Sequence, residues 1–393
     1  MTDFNQQSLK KHLENRGKWE IKSKFPLKTS DDLAIAYTPG VAAVSQKIAG
    51  DHSEAYALTM KGNAIAIVSD GSAVLGLGNI GAVAALPVME GKAILFKAFA
   101  GIDGVPIVVD VKTPEEIITT VKTIAPTFGG INLEDIAAPN CFVVEQALQE
   151  IGIPVFHDDQ HGTAIVLLAG LMNAAKVVGK ALTELHVVIN GAGAAGTAIA
   201  RLLRCVGHNP NVCVPVRKVY VCDSKGIISH SRTDLNPYKQ ALLNYTNPDH
   251  LSGKLEDALK NADVFIGVSR GNLLKTHHIK MMAADPVILA MANPIPEIMP
   301  DVAKAAGAAI IGTGRSDFPN QVNNVLVFPG IFRGALDAKA KRISESMKIA
   351  AAKALATTVK NPGIENILPD PLDKNVASVV AEAVCAAASE TIQ

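Results

Sequence analysis

The chain has 393 residues, of which 48% are hydrophobic and 4% aromatic, and this length suits two domains that each bury a stable core. Its 37 basic residues balance its 37 acidic residues, which excludes a net field that would attract nucleic acid or an acidic membrane surface. No apolar run reaches roughly 18 residues and the first residues lack a signal-peptide pattern, so we expect a soluble, cytoplasmic protein with small partners and no membrane segment.

The five cysteines give no sign of a disulfide framework. They form no C-x-x-C pair, and their number is odd, which argues against both disulfides and a thiolate metal site. We therefore expect reduced and mostly buried thiols. They are Cys141, Cys205, Cys213, Cys222 and Cys385.

The first part of the chain predicts an α/β unit. Residues 1–30 are polar and rich in lysine, and they predict a short helix at the start. From about residue 31 to 160, stretches rich in isoleucine and valine alternate with helical stretches such as PEEIITTVKTI, which is typical of a largely parallel sheet. The predicted strands are AIAIVS, AILFKAF, VPIVVDV, INLEDI and IPVFHD.

Two acid–base candidates lie in this unit. Tyr37 precedes a turn set by Pro39 and Gly40, and Lys92 opens the predicted strand AILFKAF. Considered alone, each residue type is more often found at a surface or in a core. A lysine held near a metal ion, however, is a group whose lowered pKa makes it a usable base.

A glycine-rich turn, GLGNIG, precedes Lys92 in the chain. Gly76, Gly78 and Gly81 have the G-x-G-x-x-G spacing of a nucleotide loop. The strand before it is interrupted by the turn SDGS, the following helix meets Pro87 within two turns, and no strand ending in an acidic residue follows at the right distance. We therefore interpret the segment as a close-packed turn that lines the active cleft.

Acidic residues close two successive predicted strands. Glu134 and Asp135 end the run GGINLED, and Asp159 ends IPVFHDD. Parallel strands joined by a helix end at the same edge of a sheet, where gathered carboxylates repel one another unless a cation offsets their charge. Because hard oxygen ligands suit Mg²⁺ or Mn²⁺, the sequence predicts a divalent metal site at this edge.

Three neighbouring residues have alternative interpretations. Asp158 either caps the following helix or supports a metal ligand through a hydrogen bond. His157 and His161 lie four residues apart and invite a zinc site. They flank carboxylates at a strand-to-helix junction instead of sharing one helix face, which disfavours zinc.

A long helix pattern follows and predicts the link between two domains. It ends at Gly179, as helices often do. We expect residues 1–160 to form a substrate and metal domain and residues 161–393 a coenzyme domain with a helical tail from about residue 334. The predicted strands of the second domain are HVVIN, KVYVCD, DVFIGVS, VILAMAN and AAIIGTG.

The first of these strands leads into a second G-x-G-x-x-G motif. The glycines permit a tight turn, a close approach of backbone to a pyrophosphate, and close helix–strand packing. The helix pattern TAIARLLRCVG follows and offers its N-terminus to the phosphates. The segment therefore predicts a Rossmann-like, doubly wound NAD(P)-binding domain, with a loop formed by Gly191, Ala192, Gly193, Ala194, Ala195 and Gly196.

The strand KVYVCD ends in Asp223, which is placed to accept hydrogen bonds from the adenosine ribose. Its distance from the motif is longer than usual, and the excess fits the loop GHNPNVCVPVRK. A carboxylate there favours NAD, because a 2′-phosphate would meet a negative charge. Ser224 and Lys225 would nevertheless reach such a phosphate, so NAD and NADP both stay open.

Together these segments resemble a small, bacterial-type malic enzyme over nearly the full length of the chain. The blocks FHDDQHGTA and NNVLVFPG are specific, whereas the glycine loop alone is not. The other matching blocks are AYTPGVA, VMEGKAILFK, LEDIAAPNCF, NGAGAAG and ANPIPE.

The resemblance assigns roles to the candidates. It implies Tyr37 as proton donor, Lys92 as general base and substrate contact, and the three strand-end acids as metal ligands. It also places Asn293 and Asn324, with Asn323 as the alternative, near malate and the nicotinamide. Larger members carry an arginine where this chain has Ala73, so malate's distal carboxylate needs another cation or backbone donors.

The implied activity is metal-dependent oxidative decarboxylation of (S)-malate to pyruvate and carbon dioxide, with reduction of NAD or NADP, by a homodimer. An oxaloacetate decarboxylase and a malolactic enzyme on the same scaffold are alternatives. A non-catalytic dinucleotide-binding regulator is a third, from a different class. It would need the glycine loop but not Tyr37, Lys92 and the acidic cluster together.

Overall fold

The structure is a computed structural model that describes residues 4–74, 76–111 and 113–390. The helices are α1 (Phe4–Asn15), α2 (Ser30–Ala36), α3 (Val41–Gly50), α4 (Ala55–Leu58), α5 (Ala82–Ala100), α6 (Pro114–Ile124), α7 (Asn140–Leu148), α8 (Asp158–Val177), α9 (Ala194–Leu203), α10 (Pro237–Leu242), α11 (Leu255–Leu259), α12 (Thr276–Lys280), α13 (Pro300–Ala305), α14 (Phe328–Asp337), α15 (Glu345–Thr358) and α16 (Asn375–Glu390). The strands are β1 (Ala64–Ser69), β2 (Asp103–Val108), β3 (Gly130–Leu133), β4 (Val155–His157), β5 (His186–Asn190), β6 (Lys218–Asp223), β7 (Gly226–Ile227), β8 (Val264–Gly267), β9 (Val287–Ala290) and β10 (Ile310–Thr313).

Two sheets organise these elements. The first is parallel, with the order β2-β1-β3-β4. The second has the order β10-β9-β8-β5-β6-β7 and is parallel except for β7, which pairs antiparallel with β6. The strand order reverses beside β5, which creates the crevice where doubly wound sheets bind ligands. The predicted α/β fold with a Rossmann-like second sheet is confirmed.

Helix α8 follows the last strand of the first sheet without an intervening loop. It begins at Asp158, directly after the last residue of β4, two residues earlier than the sequence pattern predicted. Most of its residues are buried, because it packs against α9 in the second half and against α15 in the tail. The end of the first sheet and the start of this helix are therefore fixed together.

One predicted strand is wrong. The segment AILFKAF, with Lys92 just before it, lies inside α5. The buried residues of α5 include Ala85, Met89 and Phe96, whose spacing follows the helical period. A short apolar run does not distinguish strand from buried helix, and Pro87 lies within the helix without ending it.

The helical tail is confirmed and packs closely. A Cβ added at Gly330 would lie 2.7 Å from the carbonyl oxygen of Ala377, and one at Gly334 would lie 2.4 Å from that of Ala381. These two glycines of α14 therefore allow α16 to approach the helix backbone. Helix α14 also packs against α5, which ties the tail to the first half of the chain.

The expectation of five reduced thiols is wrong for one pair. Cys205 and Cys213 form a disulfide that closes the loop after α9. Cys141, Cys222 and Cys385 are free. The two cysteines are eight residues apart, so they do not form the C-x-x-C pair that was sought in the sequence.

Among the described helices, none combines the length and the apolar character that crossing a membrane requires.

Candidate active site

The strand-end acids converge at one edge of the first sheet. Leu133, the last residue of β3, pairs in register with His157, the last residue of β4. The acids that follow these two positions are therefore neighbours. Carboxylate oxygens of Glu134, Asp135 and Asp159 all lie within 4.8 Å of one another.

The donor set fits a hard divalent cation. Burial raises the pKa of Glu134 to about 7 and that of Asp159 to about 6, although Lys92 opposes both shifts. The backbone N–H of Asp135 donates to Asp159 Oδ2 at 2.8 Å, which connects the two strand ends. Closely spaced carboxylates whose ionisation is unfavourable are the arrangement that Mg²⁺ or Mn²⁺ stabilises.

Lys92 extends from α5 into this cluster and is buried. Its Nζ lies 2.8 Å from Glu134 Oε1 and 2.5 Å from Asp158 Oδ2. It also lies 4.1 Å from the ring centroid of Phe328, a contact that the sequence reasoning missed. Burial favours a lower pKa, but the surrounding carboxylates raise the pKa of Lys92 above its ordinary value. The lowered pKa that was expected for Lys92 is therefore not found, because the nearby carboxylates stabilise its charged form.

Asp158 is fully buried and pairs with Lys92. It is the first residue of α8, and His157 occupies the N-cap position. Burial raises the pKa of Asp158 to about 7, against the opposing effects of Lys92 and a hydrogen bond from Asn324. A Cβ added at Gly162, one turn along α8, would lie 1.8 Å from Asp158 Oδ1. The helix therefore requires glycine there to leave room for this carboxyl group.

The three candidate asparagines have different environments. Asn324 lies at Asp158, whereas the Asn323 side chain accepts a hydrogen bond from the backbone of Val325. Asn293 is exposed, and a Cβ added at Gly76 would lie 2.3 Å from its carbonyl oxygen. The turn that begins at Gly76 thus packs closely against the second half of the chain. The predicted close packing is present, and the lining of an active cleft stays a prediction.

Tyr37 makes no described contact with Lys92. It ends α2, and 67% of its surface is exposed. The described ion pairs and ring contacts of Lys92 are with Glu134, Asp158 and Phe328.

The two histidines beside the acids do not form a metal-binding pair. His157 is fully buried, and burial lowers its pKa to about 4. His161 has both ring nitrogens engaged, Nε2 at 2.9 Å from Glu145 Oε2 and Nδ1 at 3.3 Å from Lys348 Nζ.

The second glycine motif lines a cavity of about 830 Å³ at the crevice of the second sheet. Gly191 has φ +132°, and a Cβ there would lie 2.5 Å from Val268 O. A Cβ at Gly196 would lie 1.7 Å from Gly191 O, whereas one at Gly193 would meet nothing within 4 Å. The turn is therefore closed on one side and open at Gly193, where α9 begins, which fits a pyrophosphate.

Asp223 lines the same cavity, but its acceptor positions are occupied. Oδ1 accepts the Lys225 backbone N–H at 2.9 Å and Arg232 Nη1 at 2.8 Å. Oδ2 accepts Arg232 Nη2 at 3.1 Å and Lys239 Nζ at 2.6 Å. Burial acts to raise the pKa of Asp223, and these donors lower it to about 2. The sequence reasoning missed Arg232 and Lys239, because no spacing rule links them to Asp223.

Comparisons with known proteins agree with this geometry. A family model described as "Malic enzyme, N-terminal domain" matches residues 16–149, and one described as "Malic enzyme, NAD binding domain" matches residues 160–389. A Bacillus subtilis (strain 168) protein named "Bifunctional malic/malolactic enzyme" is 54% identical over 392 residues, covering 99% of this chain and 94% of that protein. A Geobacillus stearothermophilus "NAD-dependent malic enzyme" is 54% identical over 378 residues, covering 95% and 77%.

Solved structures give the same result. The crystal structure of an NAD-dependent malic enzyme from Thermotoga maritima superposes with a TM-score of 0.91 at 48% sequence identity. The match covers 96% of this chain and 98% of that one.

Proposed function

The chain belongs to the malic enzyme family, and we propose that it oxidatively decarboxylates (S)-malate to pyruvate and carbon dioxide while reducing NAD or NADP. The observation that carries this proposal is the buried cluster in which Lys92 lies between Glu134 and Asp158. The proposal divides the chain into residues 1–160, which hold metal and substrate, and residues 161–393, which hold the coenzyme.

Glu134, Asp135 and Asp159 are the proposed ligands of Mg²⁺ or Mn²⁺. A cation bound there supplies positive charge that lowers the cost of ionising malate's hydroxyl group. Asp158 is left as the buried partner that orients Lys92.

Lys92 is the proposed general base. In this structure the carboxylates hold Lys92 as an ammonium, which is able to donate to a substrate oxygen but not to accept a proton. Positive charge added among the same carboxylates weakens the attraction that holds the Lys92 pKa high, which is the condition for accepting the hydroxyl proton.

The glycine loop from Gly191 to Gly196 is proposed to hold the coenzyme pyrophosphate at the N-terminus of α9. Asn293 and Asn324 are the proposed contacts for malate and the nicotinamide, with Asn323 as the alternative. The open cavity at Gly193 supports this placement.

Malate supplied with Mn²⁺ and coenzyme is expected to yield pyruvate and reduced coenzyme in equal amounts. Because four hydrogen bonds offset the charge of Asp223, NADP is expected to reach a kcat/KM within about tenfold of the NAD value, equivalent to about 1.4 kcal/mol. Pyruvate assays and the absorbance of the reduced nicotinamide measure both quantities.

The alternative activities give different products. A malolactic enzyme forms lactate without net coenzyme reduction, and the B. subtilis relative bears that name as well. An oxaloacetate decarboxylase forms pyruvate from oxaloacetate but not from malate. Binding of NAD without metal-dependent turnover would instead favour the regulator.

A homodimer in the cytoplasm is part of the proposal. Helices α1, α2 and α3 contain no buried residue, although large apolar side chains lie on and between them. Such a patch marks an interaction surface, and a second copy is its proposed occupant. In this dimer Tyr37 reaches Lys92 of the second copy, where it protonates the enol carbon. The exposed apolar residues include Phe4, Leu9, Leu13, Ile21, Phe25, Leu27, Leu33, Ile35, Val41 and Val44.

Hybrid dimers of two inactive variants test this arrangement. Tyr37→Phe and Lys92→Met are each expected to be nearly inactive, and their co-expressed mixture is expected to recover about one quarter of wild-type activity. Half of randomly paired dimers are hybrids, and each hybrid would contain one intact site. Affinity tags of two kinds isolate the hybrids for assay.

Two results would contradict the proposed dimer. Isolated hybrids without activity would place Tyr37 and Lys92 in the same chain's site. A monomer by light scattering would exclude the dimer itself.

A further inference from the structure

We propose that Glu145 is a positioning residue that sets the affinity of the metal site by holding the junction of β4 and α8. The inference rests on the proposed metal site of Glu134, Asp135 and Asp159. Glu145 lies on α7, and its described hydrogen bonds and ion pairs go to His157, Gln160 and His161. Its proposed effect therefore passes through the backbone that carries Asp159.

The contacts of Glu145 bracket Asp159 in the sequence. Its Oε1 accepts the backbone N–H of His157 at 3.3 Å, and its Oε2 accepts the Gln160 side-chain amide at 3.2 Å. His161 Nε2 lies 2.8 Å from Oε1 and 2.9 Å from Oε2. One carboxylate thus binds the residue before the acid pair and the two residues after it.

The surroundings keep this carboxylate ionised. Burial acts to raise the pKa of Glu145, but His161 and Lys348 lower it to about 2. The carboxylate also lies at the N-terminus of α8, a 20-residue helix whose dipole favours an anion there. These contacts favour the charged form of Glu145, which accepts hydrogen bonds.

A second layer of contacts extends to the tail. Lys348 of α15 is buried; its Nζ lies 3.3 Å from His161 Nδ1 and 2.7 Å from Glu345 Oε1. The two ring nitrogens of His161 thus face different partners, Nε2 facing Glu145 and Nδ1 facing Lys348. The orientation of His161, and through it the first turn of α8, is fixed from both halves of the chain.

Metal affinity depends on this junction because the ligands come from two strands. Glu134 and Asp135 follow β3, whereas Asp159 follows β4 and is tied to β3 through the Asp135 N–H. Mg²⁺ requires near-ideal octahedral geometry at about 2.1 Å. A rotation of the first turn of α8 would move Asp159 away from the other two ligands, and Glu145 opposes that rotation.

Binding of Mn²⁺ alone, without malate or coenzyme, tests the inference. Electron paramagnetic resonance of free Mn²⁺ gives the Kd of the wild type, Glu145→Ala and Glu145→Gln. We expect Glu145→Ala to raise the Mn²⁺ Kd by about 10–100-fold, the range for residues that orient metal ligands. Glu145→Gln keeps the size and one acceptor oxygen, so a smaller rise of about tenfold is expected.

Two further readouts separate positioning from general damage. The Kd for NAD is expected to stay within about twofold of the wild type, because the described hydrogen bonds of Glu145 go to residues 157–161 and none goes to the glycine loop. The Mn²⁺ concentration for half-maximal activity is expected to rise more than kcat falls. Glu150→Ala is the matched control, since Glu150 lies just after α7 with an 87% exposed side chain, and its Mn²⁺ Kd is expected to be normal.

The possible failures are distinguishable. A wild type that binds no Mn²⁺ overturns the proposed metal site. A wild type that binds Mn²⁺, together with a folded Glu145→Ala of unchanged Kd, overturns only the role of Glu145. If Glu145→Ala does not fold, the near-isosteric Glu145→Gln decides, and an unchanged Kd in that variant also overturns the inference.

Discussion

Replacing Lys92 with alanine is expected to lower both malate oxidation and oxaloacetate decarboxylation by on the order of 10²-fold or more, the contribution typical of a general acid–base residue. The amine is the buried cation within 2.8 Å of Glu134 and 2.5 Å of Asp158. Steady-state rates with Mn²⁺, measured separately from each substrate, give the two losses.

Lys92→Ala also leaves Glu134 and Asp158 buried without their cation. Removing one partner of a buried pair costs about 3–5 kcal/mol, so the melting temperature must be measured beside the rate. We expect Mn²⁺ to bind at least as tightly as in the wild type, because the competing ammonium is gone. A Lys92→Ala variant that still binds Mn²⁺ but has lost turnover would therefore show that Lys92 acts in the chemistry and that the site has not collapsed.

Lys97→Ala is the control for Lys92. Lys97 lies on the same helix, but it is exposed and pairs with Asp103, so its variant is expected to turn over normally. Small primary amines are expected to restore part of the activity of Lys92→Ala and none in Lys92→Met, whose side chain fills the space. Near-normal turnover of Lys92→Ala would exclude its role as base.

Replacing Asp159 with asparagine is expected to raise the Mn²⁺ Kd by on the order of 10²-fold or more, beyond the effect of residues that only orient ligands. The amide oxygen still accepts the Asp135 N–H, which Asp159 Oδ2 accepts at 2.8 Å. The variant therefore loses the ligand charge while the strand connection is kept. Calorimetric titration with Mn²⁺ and the dependence of turnover on Mn²⁺ measure the change.

Asp110→Asn is a suitable control for Asp159. Asp110 is an exposed acid shortly after β2 on the same sheet, and its replacement is expected to leave the metal requirement unchanged. A normal Mn²⁺ requirement in Asp159→Asn would remove this residue from the proposed ligand set.

The sequence predicted the parts of the site that follow strand ends. Glu134, Asp135 and Asp159 are recognisable because they close buried apolar runs, and parallel strands bring such positions to one edge. The loop from Gly191 to Gly196 is recognisable because it directly follows a buried apolar strand.

Features that depend on contacts across the fold were not predicted. Lys92 was placed on a strand, although its position on α5 follows from which residues face the core, a tertiary property that overrides a short apolar pattern. The occupied carboxylate of Asp223 depends on Arg232 and Lys239, which approach it through loop geometry. No pattern in the sequence indicated that Tyr37 is exposed.

The direct passage from β4 into α8 determines where the two halves of the enzyme are able to move. At about 1.5 Å per residue the 20 residues of α8 form a rod of about 30 Å, embedded against the coenzyme half along most of its length. Any displacement of α8 relative to the first sheet would therefore act at the 157–158 junction, one residue from the proposed ligand Asp159. The position of this carboxylate and the orientation of the coenzyme half are therefore coupled through one helix.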